Sequence, residues 1–152
     1  MKTKKEIKLA IVSSQFWGEI AENLTKSCLE TLKENGIGEN QVALYQVPGS
    51  LEIPLMVQTL AKKHAFDAII TFGVILKGET YHFEHIANEC IRGCMDVSLR
   101  FEIPVIYEVL AVFDIQDAID RSVRGKDSGH GSDKGAEAAM AALKMIDSLQ
   151  LA

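Results

Sequence analysis

Four short segments of the chain are apolar at nearly every position, and longer amphipathic patterns separate them. The apolar segments span residues 9–12, 42–47, 68–72 and 104–110 and are rich in Val and Ile. Strands that are apolar on both faces are typical of a parallel sheet that helices cover on both sides. The pattern therefore predicts four core strands.

Helical patterns lie between and after these segments. Ile20, Leu24, Cys28 and Leu32 recur every four residues, and Gly36 follows where helices commonly end in a left-handed residue. Further helices are predicted over residues 51–63, 80–100, 115–123 and 134–149. Right-handed crossovers between parallel strands then give an α/β fold, a three-layer α/β/α sandwich with a four-stranded parallel sheet and flavodoxin-like topology. We expect one domain over residues 1–152.

The composition narrows the possible functions. The chain is 47% hydrophobic and 24% charged, which is typical of a globular protein and excludes disorder or a fibre. Its net charge of −5 argues against a nucleic-acid-binding protein, because such proteins need a cationic surface. We expect no membrane span, since no apolar run approaches the ~20 residues required. The odd number of cysteines, three, indicates reduced thiols and a cytoplasmic location.

Unusual residues cluster after the predicted strands, and ligands of parallel sheets bind beyond the carboxyl ends of strands. Phe16 and Trp17 follow the first strand. They either offer a face on which a flat heterocycle stacks or cap the edge of the core. Glu52 follows the second strand at a predicted helix start, where it either complements the helix dipole or accepts hydrogen bonds from a ligand.

The segment after the third strand has the features of an anion site. Gly78, Glu79 and Thr80 open the third predicted helix, where unpaired amides bind phosphate and Lys77 adds positive charge. The alternative is an ordinary helix start capped by the Thr80 hydroxyl. His82 lies in the first turn, where the positive end of the helix dipole favours a neutral imidazole base. It is either a packing residue or a proton-transfer group.

Several other sequence motifs are less informative about function. His82 and His85 are three residues apart on a helix, but no third ligand recurs at a suitable spacing, so we predict no metal site. Cys90 and Cys94 lie in an apolar helix and are predicted to belong to the core. Residues 124–133 contain three glycines and several charges, and a loop of this length in a compact domain is usually functional or mobile.

Ordered motifs along most of the chain resemble the lumazine synthases, which act in riboflavin synthesis. They are VPGSLEIP at residues 47–54, DAII at 67–70, GVILKGETYHFE at 73–84, PVIY at 104–107, QDAIDR at 116–121 and DKGAEAA at 133–139. The resemblance implies condensation of 5-amino-6-(D-ribitylamino)uracil with 3,4-dihydroxy-2-butanone 4-phosphate. The products are 6,7-dimethyl-8-ribityllumazine, phosphate and water, and neither a cofactor nor a metal takes part.

The resemblance also implies roles for individual residues. His82 becomes the proton-transfer residue and Phe16 the ring-stacking aromatic. The other implied substrate-binding residues within the same subunit are Trp17, Ser50, Leu51, Glu52, Gly73, Val74, Ile75, Gly78, Glu79 and Thr80.

A neighbouring subunit completes the pocket in this family. The resemblance therefore implies a homo-oligomer in which Tyr107 covers the pyrimidine while Arg121 and Lys134 approach the phosphate, with Lys126 as the alternative lysine. We expect a ring of five subunits that does not close into a sixty-subunit shell, because the long segment 124–133 disfavours a tight contact between rings.

The chain departs from the usual family pattern at four positions. Trp17 replaces Asn, Tyr107 replaces Phe, Glu108 replaces Gly and Ala111 replaces Thr. These departures leave two alternatives to an enzyme: a non-catalytic shell or scaffold protein, or a flavin- or nucleotide-binding module on the same fold.

Overall fold

The computed structural model describes residues 1–125 and 132–152. Its sheet contains strands β1 (Leu9–Ser14), β2 (Val42–Val47), β3 (Ala68–Leu76) and β4 (Val105–Val112). They lie in the order β2-β1-β3-β4, and every neighbouring pair is parallel. The predicted four-stranded parallel sheet is confirmed.

Helices cover both faces of this sheet. They are α1 (Gly18–Glu34), α2 (Ile53–Ala61), α3 (His82–Phe101), α4 (Ile115–Arg121) and α5 (Lys134–Leu151). Single 3₁₀ turns occur at Lys4–Glu6, Glu39–Gln41 and Ser50–Glu52. In the described ranges, no helix is long and apolar enough to cross a membrane.

The core is divided in two by the sheet, as strands apolar on both faces require. Leu9 and Ile11 of β1 are buried with residues of α1, α4 and α5. Ala10 and Val12, which point the other way, are buried with residues of α2 and α3. The predicted three-layer sandwich is therefore confirmed, and Cys90 and Cys94 lie in the second core as expected.

Two predicted boundaries at the ligand edge of the sheet are wrong. β3 continues to Leu76 because β4 pairs with it as far as Val112, so Gly73, Val74 and Ile75 lie on a strand and not in a loop. α3 begins at His82 and not at Thr80, which leaves residues 77–81 as a connection between β3 and the helix.

Helices α1 and α5 approach each other closely near the start of α5. A Cβ atom at Gly135 would overlap the carbonyl oxygen of Leu24, so a side chain has no room there. Next to it, the buried carboxylate of Asp133 caps α5 by accepting from the Ala136 amide at 3.0 Å. The same carboxylate accepts from the Ser27 hydroxyl at 2.6 Å, which ties α5 to α1.

The ends of the predicted loop 124–133 are held by this network. The Gly125 amide donates to Asp133 at 3.0 Å, and the Arg124 guanidinium lies 2.7 Å from the Glu34 carboxylate. Burial raises the pKa of Asp133, but the hydrogen bonds from Ser27, Ala136 and Gly125 and the charge of Arg124 outweigh it, so the pKa is lowered. Residues 126–131, including Lys126, lie outside the described residues.

Candidate active site

A cavity of about 470 Å³ opens at the carboxyl ends of β1, β2 and β3. This is the edge at which the sequence places a ligand. Nine of the predicted site residues line it: Phe16, Trp17, Ser50, Leu51, Glu52, Val74, Ile75, Gly78 and His82.

The first loop is held against the second by its backbone. The Gln15 amide donates to the Val47 carbonyl at 2.8 Å, and the Phe16 amide donates to the Pro48 carbonyl at 3.2 Å. The Phe16 side chain is nonetheless 66% exposed, with its ring edge-on to that of Trp17 at 6.0 Å between centroids. Phe16 therefore does not cap the core, and its exposed ring favours the stacking interpretation.

Trp17 adopts an unusual backbone conformation directly before α1. Its φ of 59° and ψ of 41° are left-handed, a conformation that costs a residue with a Cβ atom roughly 1–2 kcal/mol. The resemblance places Asn at this position, and Asn enters the left-handed region more readily than Trp. Trp17 therefore carries a backbone strain that Asn would largely avoid, and it adds a large aromatic wall to the cavity.

The 3₁₀ turn Ser50–Glu52 forms the opposite wall. Ser50 is buried, and its carbonyl accepts from the Cys90 thiol at 3.1 Å, which anchors the turn on α3. Gly73 allows β3 to pass close by, since a Cβ atom there would lie 2.8 Å from Ser14 Oγ and 3.0 Å from Ser50 Oγ. Glycine at this position lets two serine hydroxyls converge beneath the cavity.

Glu52 does not act as a helix cap. Its side chain makes no capping hydrogen bond to α2, although the residue directly precedes that helix. The side chain is exposed at the cavity wall, and a Cβ atom at Gly49 would lie 3.0 Å from Glu52 Oε2. The geometry therefore favours an acceptor for hydroxyl or amine groups of a ligand.

The connection between β3 and α3 presents unpaired amides. Among the described residues, none accepts a hydrogen bond from the backbone amides of Glu79, Thr80 or Tyr81. The Thr80 hydroxyl accepts a long bond, 3.4 Å, from the amide of His82, the first residue of α3. Glu79 and Thr80 are exposed just outside the cavity lining, so this turn supports both an anion site and partial capping by Thr80.

Lys77 does not stand as an unpaired charge beside this turn. Its ammonium group lies 2.7 Å from the Glu84 carboxylate in α3. The hydrogen bond from Lys77 is the largest cause that lowers the pKa of Glu84. The local charge of the pair is therefore close to zero, and the amides provide the donors that face the solvent.

The three residues assigned to a neighbouring subunit do not line this cavity. The Tyr107 ring faces α3. Burial is the main cause that raises the pKa of the Tyr107 hydroxyl, and the nearby Cys90 thiol adds to the rise. Arg121 donates to the Asp117 carbonyl at 2.8 Å, and Lys134 pairs with Glu137 at 2.5 Å. Their part in a second subunit's site stays a prediction.

Glu108 is a titratable residue that the sequence marked only as a departure. It lies in the middle of β4, on the face towards α5, between the core residues Ile106 and Leu110. Burial raises its pKa to about 7, the positive charge of Lys134 opposes the rise, and the negative charge of Glu137 adds to it. The sequence signal that could have identified Glu108 is a carboxylate within an otherwise apolar predicted strand.

Sequence reasoning missed some residues that line the cavity, namely Gly49, Leu76, Phe83 and Ile86. Ile86 lies four residues after His82, so helical spacing places it on the same face of α3. Leu76 was missed because the predicted third strand ended at residue 72, whereas β3 continues to Leu76.

Metal-ligating residues do not converge in the part of the chain that the structure describes. Within residues 1–125 and 132–152, no group of three or more His, Cys, Asp or Glu side chains has an arrangement that would hold a metal ion. All three cysteines are free and buried.

A comparison with protein families agrees with the residues that form this cavity. The model that describes 6,7-dimethyl-8-ribityllumazine synthase matches residues 6–150 of the 152-residue chain. The match includes every strand, every residue of the cavity and the three residues assigned to a neighbouring subunit. The chain belongs to the 6,7-dimethyl-8-ribityllumazine synthase family.

Proposed function

We propose that the protein condenses 5-amino-6-(D-ribitylamino)uracil with 3,4-dihydroxy-2-butanone 4-phosphate to form 6,7-dimethyl-8-ribityllumazine, phosphate and water. Family membership supports a transferase of riboflavin synthesis. The observation that carries the specific reaction is the cavity in which an exposed aromatic ring, an acceptor-bearing turn and a helix-start histidine face one another beside unpaired amides.

The pyrimidine substrate suits one end of this cavity. Its flat ring stacks on the exposed face of Phe16, beside Trp17. Its ribityl hydroxyls match the polar groups of the Ser50–Glu52 turn, where the Glu52 carboxylate accepts hydrogen bonds. Leu51, Val74 and Ile75 supply apolar walls between these polar groups.

The phosphate of the second substrate suits the turn after β3. The unpaired amides lie directly before a helix of 20 residues, next to the positive end of its dipole, which favours an anion. In our proposal the Glu79 and Thr80 amides, with the Thr80 hydroxyl, bind the phosphate next to Gly78. Arg121 and Lys134 of a neighbouring subunit supply the remaining positive charge.

The reaction requires proton transfers close to this turn. The pyrimidine amine attacks the substrate carbonyl, whose oxygen leaves as water, and the C–O bond to phosphate breaks as a carbon-bound proton is removed. The resulting enol becomes a second carbonyl, the ribityl-bearing nitrogen attacks it, and its oxygen leaves as a second water when the ring closes. His82 lines the cavity next to the turn and is exposed, so its imidazole exchanges protons with both substrate and solvent. The substrate provides the amine nucleophile, and no enzyme amine is consumed.

We also propose a cytoplasmic homopentamer whose sites are shared between neighbouring subunits. Free thiols at all three cysteines support a reducing compartment. Large apolar side chains are exposed along the outer faces of α2 and α3, which supports burial against another subunit; they are Leu55, Ile91, Met95 and Leu99. Light scattering should give a mass near five subunits, and a mass near sixty would contradict this proposal.

The activity is tested directly by mixing the two substrates with purified protein. We expect equal amounts of phosphate and fluorescent lumazine, and His82→Ala should slow turnover by about 10²–10⁴-fold. Full activity in His82→Ala, with chemistry rate-limiting, would show that the assigned role is wrong. Binding of a flavin without lumazine formation would favour the binding-module alternative.

A mixing experiment tests the shared site. His82→Ala and Arg121→Ala subunits, each inactive alone, should regain activity when they are unfolded and refolded together, because some interfaces then pair two intact halves. The same variants refolded separately and then mixed are the control. No recovery in the co-refolded sample would place both residues in the site of one subunit.

A further inference from the structure

Lys77 lies in a cage formed by two elements of the fold. Its ammonium group is 2.7 Å from the Glu84 carboxylate, 5.7 Å from the centroid of the Phe83 ring and 5.4 Å from that of Phe113. The two rings are themselves in contact, with centroids 5.9 Å apart and planes inclined by 37°. Phe113 follows β4, whereas Phe83 and Glu84 belong to the first turn of α3.

The backbone on both sides of the cage is hydrogen-bonded. The Lys77 amide donates to the Val112 carbonyl at 2.9 Å, which continues the pairing of β3 with β4. The His85 amide donates to the Tyr81 carbonyl at 3.1 Å, which closes the first turn of α3. Residues 78–81 lie between these fixed points and are exposed. The Lys77 side chain thus spans the turn that carries the unpaired amides.

We propose that Lys77 is a positioning residue that holds the turn of residues 78–81 in its anion-binding shape through Glu84 and the two phenylalanine rings, and that it is not itself a ligand of the phosphate. This proposal rests on the proposed function, in which that turn binds the substrate phosphate. The sequence alone indicates a different role, in which Lys77 adds positive charge beside the anion site.

The contacts of Lys77 distinguish the two roles. To reach a phosphate directly, its ammonium group has to leave a carboxylate and two ring faces. Each lost contact of this kind disfavours the released position of the Lys77 side chain by a factor of about two to five. Holding the turn requires no such rearrangement, because the observed contacts already join β4 and α3 across it.

Three variants separate the roles. Lys77→Met keeps an apolar side chain against the rings but removes the charge, Glu84→Gln removes the other half of the ion pair, and the double variant removes both. Lys77→Arg keeps the charge and serves as the conservative rescue. Glu89→Gln is the matched control, since it breaks an exposed ion pair of the same helix, with Arg92 at 2.6 Å.

Two readouts are compared in each variant. Hydrogen exchange of the hydrogen-bonded amides at the two ends of the turn, those of Lys77, His82 and His85, is measured by NMR without any ligand. Inorganic phosphate is then titrated while the amide signals of residues 79–82 are followed. We expect exchange to be faster, and phosphate affinity weaker, by about threefold to tenfold in both single variants. The double variant should exchange no faster and bind phosphate no more weakly than Lys77→Met. In Lys77→Arg and Glu89→Gln, both the exchange rates and the phosphate affinity should stay near those of the unaltered protein.

The sign of the Glu84→Gln effect is decisive. Removing a negative charge by itself favours an anion, so weaker phosphate binding in this variant comes from lost geometry. In kinetics, the KM for the phosphate-bearing substrate should rise more than kcat falls. Phosphate binding in Glu84→Gln that is as tight as in the unaltered protein or tighter, together with weakened binding in Lys77→Met, identifies a direct ligand and overturns the proposal.

The exchange measurement separates this proposal from the proposed function. If exchange at the turn is unchanged in both single variants, the cage does not hold the turn and the proposal fails, whether or not lumazine forms. If the variants accelerate exchange but the unaltered protein binds no phosphate and makes no lumazine, the proposed function fails while the positioning role stands.

Discussion

The Glu108 carboxylate lies in a position where ionisation should destabilise the fold. It is half-buried in β4 between apolar neighbours and faces α5, where Lys134 attracts the carboxylate and Glu137 repels it. Substitution by Gln keeps the shape of the protonated acid and removes the charge. We expect Glu108→Gln to stabilise the protein at alkaline pH and to have little effect at acid pH.

The size and sign of the effect follow from the pKa. The carboxyl ionises near its ordinary value of 4.5 in the unfolded chain and at about 7 in the folded protein. Between these two pH values the folded state therefore binds more protons than the unfolded state. Ionisation of Glu108 costs no folding stability below about pH 4.5, and its full cost is reached above about pH 7. The difference between the two pKa values corresponds to at most about 3 kcal/mol of folding free energy, and partial solvent screening reduces this to about 1–2 kcal/mol.

Urea unfolding at fixed protein concentration measures this difference. The unaltered protein and Glu108→Gln are compared at about pH 5, 6, 7 and 8, and the gain should grow through this range. Glu22→Gln, at an exposed position of α1, should change stability by less than about 0.5 kcal/mol throughout. A constant difference between Glu108→Gln and the unaltered protein from pH 5 to 8 would refute the reasoning.

Three further substitutions probe packing and the cavity floor. Gly135→Ala should destabilise the protein by about 1–3 kcal/mol in urea unfolding, because its Cβ overlaps the Leu24 carbonyl, whereas Gly18→Ala meets nothing within 4 Å. Asp133→Asn should lower the free energy of unfolding by about 1–3 kcal/mol near neutral pH, because it weakens the hydrogen bonds to the carboxylate. Its pKa lies below the ordinary 3.8, so this contribution is complete above that value and is lost as pH falls through the folded pKa. Gly73→Ala should slow lumazine formation about tenfold or more while thermal unfolding changes little.

Each of these expectations has a clear contrary result. Equal unfolding midpoints for Gly135→Ala and Gly18→Ala would show that α1 and α5 separate without cost. A difference between Asp133→Asn and the unaltered protein that persists unchanged in strong acid would exclude a role for the charge. Restored activity in the double variant Gly73→Ala/Ser14→Ala would support the crowding argument, since it removes the hydroxyl 2.8 Å from the new methyl group.

Much of the fold was predictable because its signals are local. Each strand is a short apolar segment and each helix a periodic one, so α1 and the four strands could be located without knowing their partners. The candidate site was accessible for a related reason. Parallel strands bring their carboxyl ends to one edge, and contiguous motifs at three of those ends carry the residues that line the cavity.

Element ends were harder to predict because they depend on partners. β3 continues to Leu76 since β4 offers hydrogen-bonding groups as far as Val112, and apolar character alone did not reveal this pairing. The same extension moved Gly73 from a predicted loop into a strand, where it faces Ser14 and Ser50.

The sequence by itself determined the layers of this protein, the edge at which the candidate cavity opens and the family to which the chain belongs, because these depend on local patterns and contiguous motifs. Only the tertiary structure decided that Lys77 is caged with Glu84 and Phe113, that Asp133 joins α5 to Ser27, and that Glu108 is half-buried against α5. The physical reason is that the pairing and desolvation of a charge depend on residues far away in the chain, which no local pattern specifies.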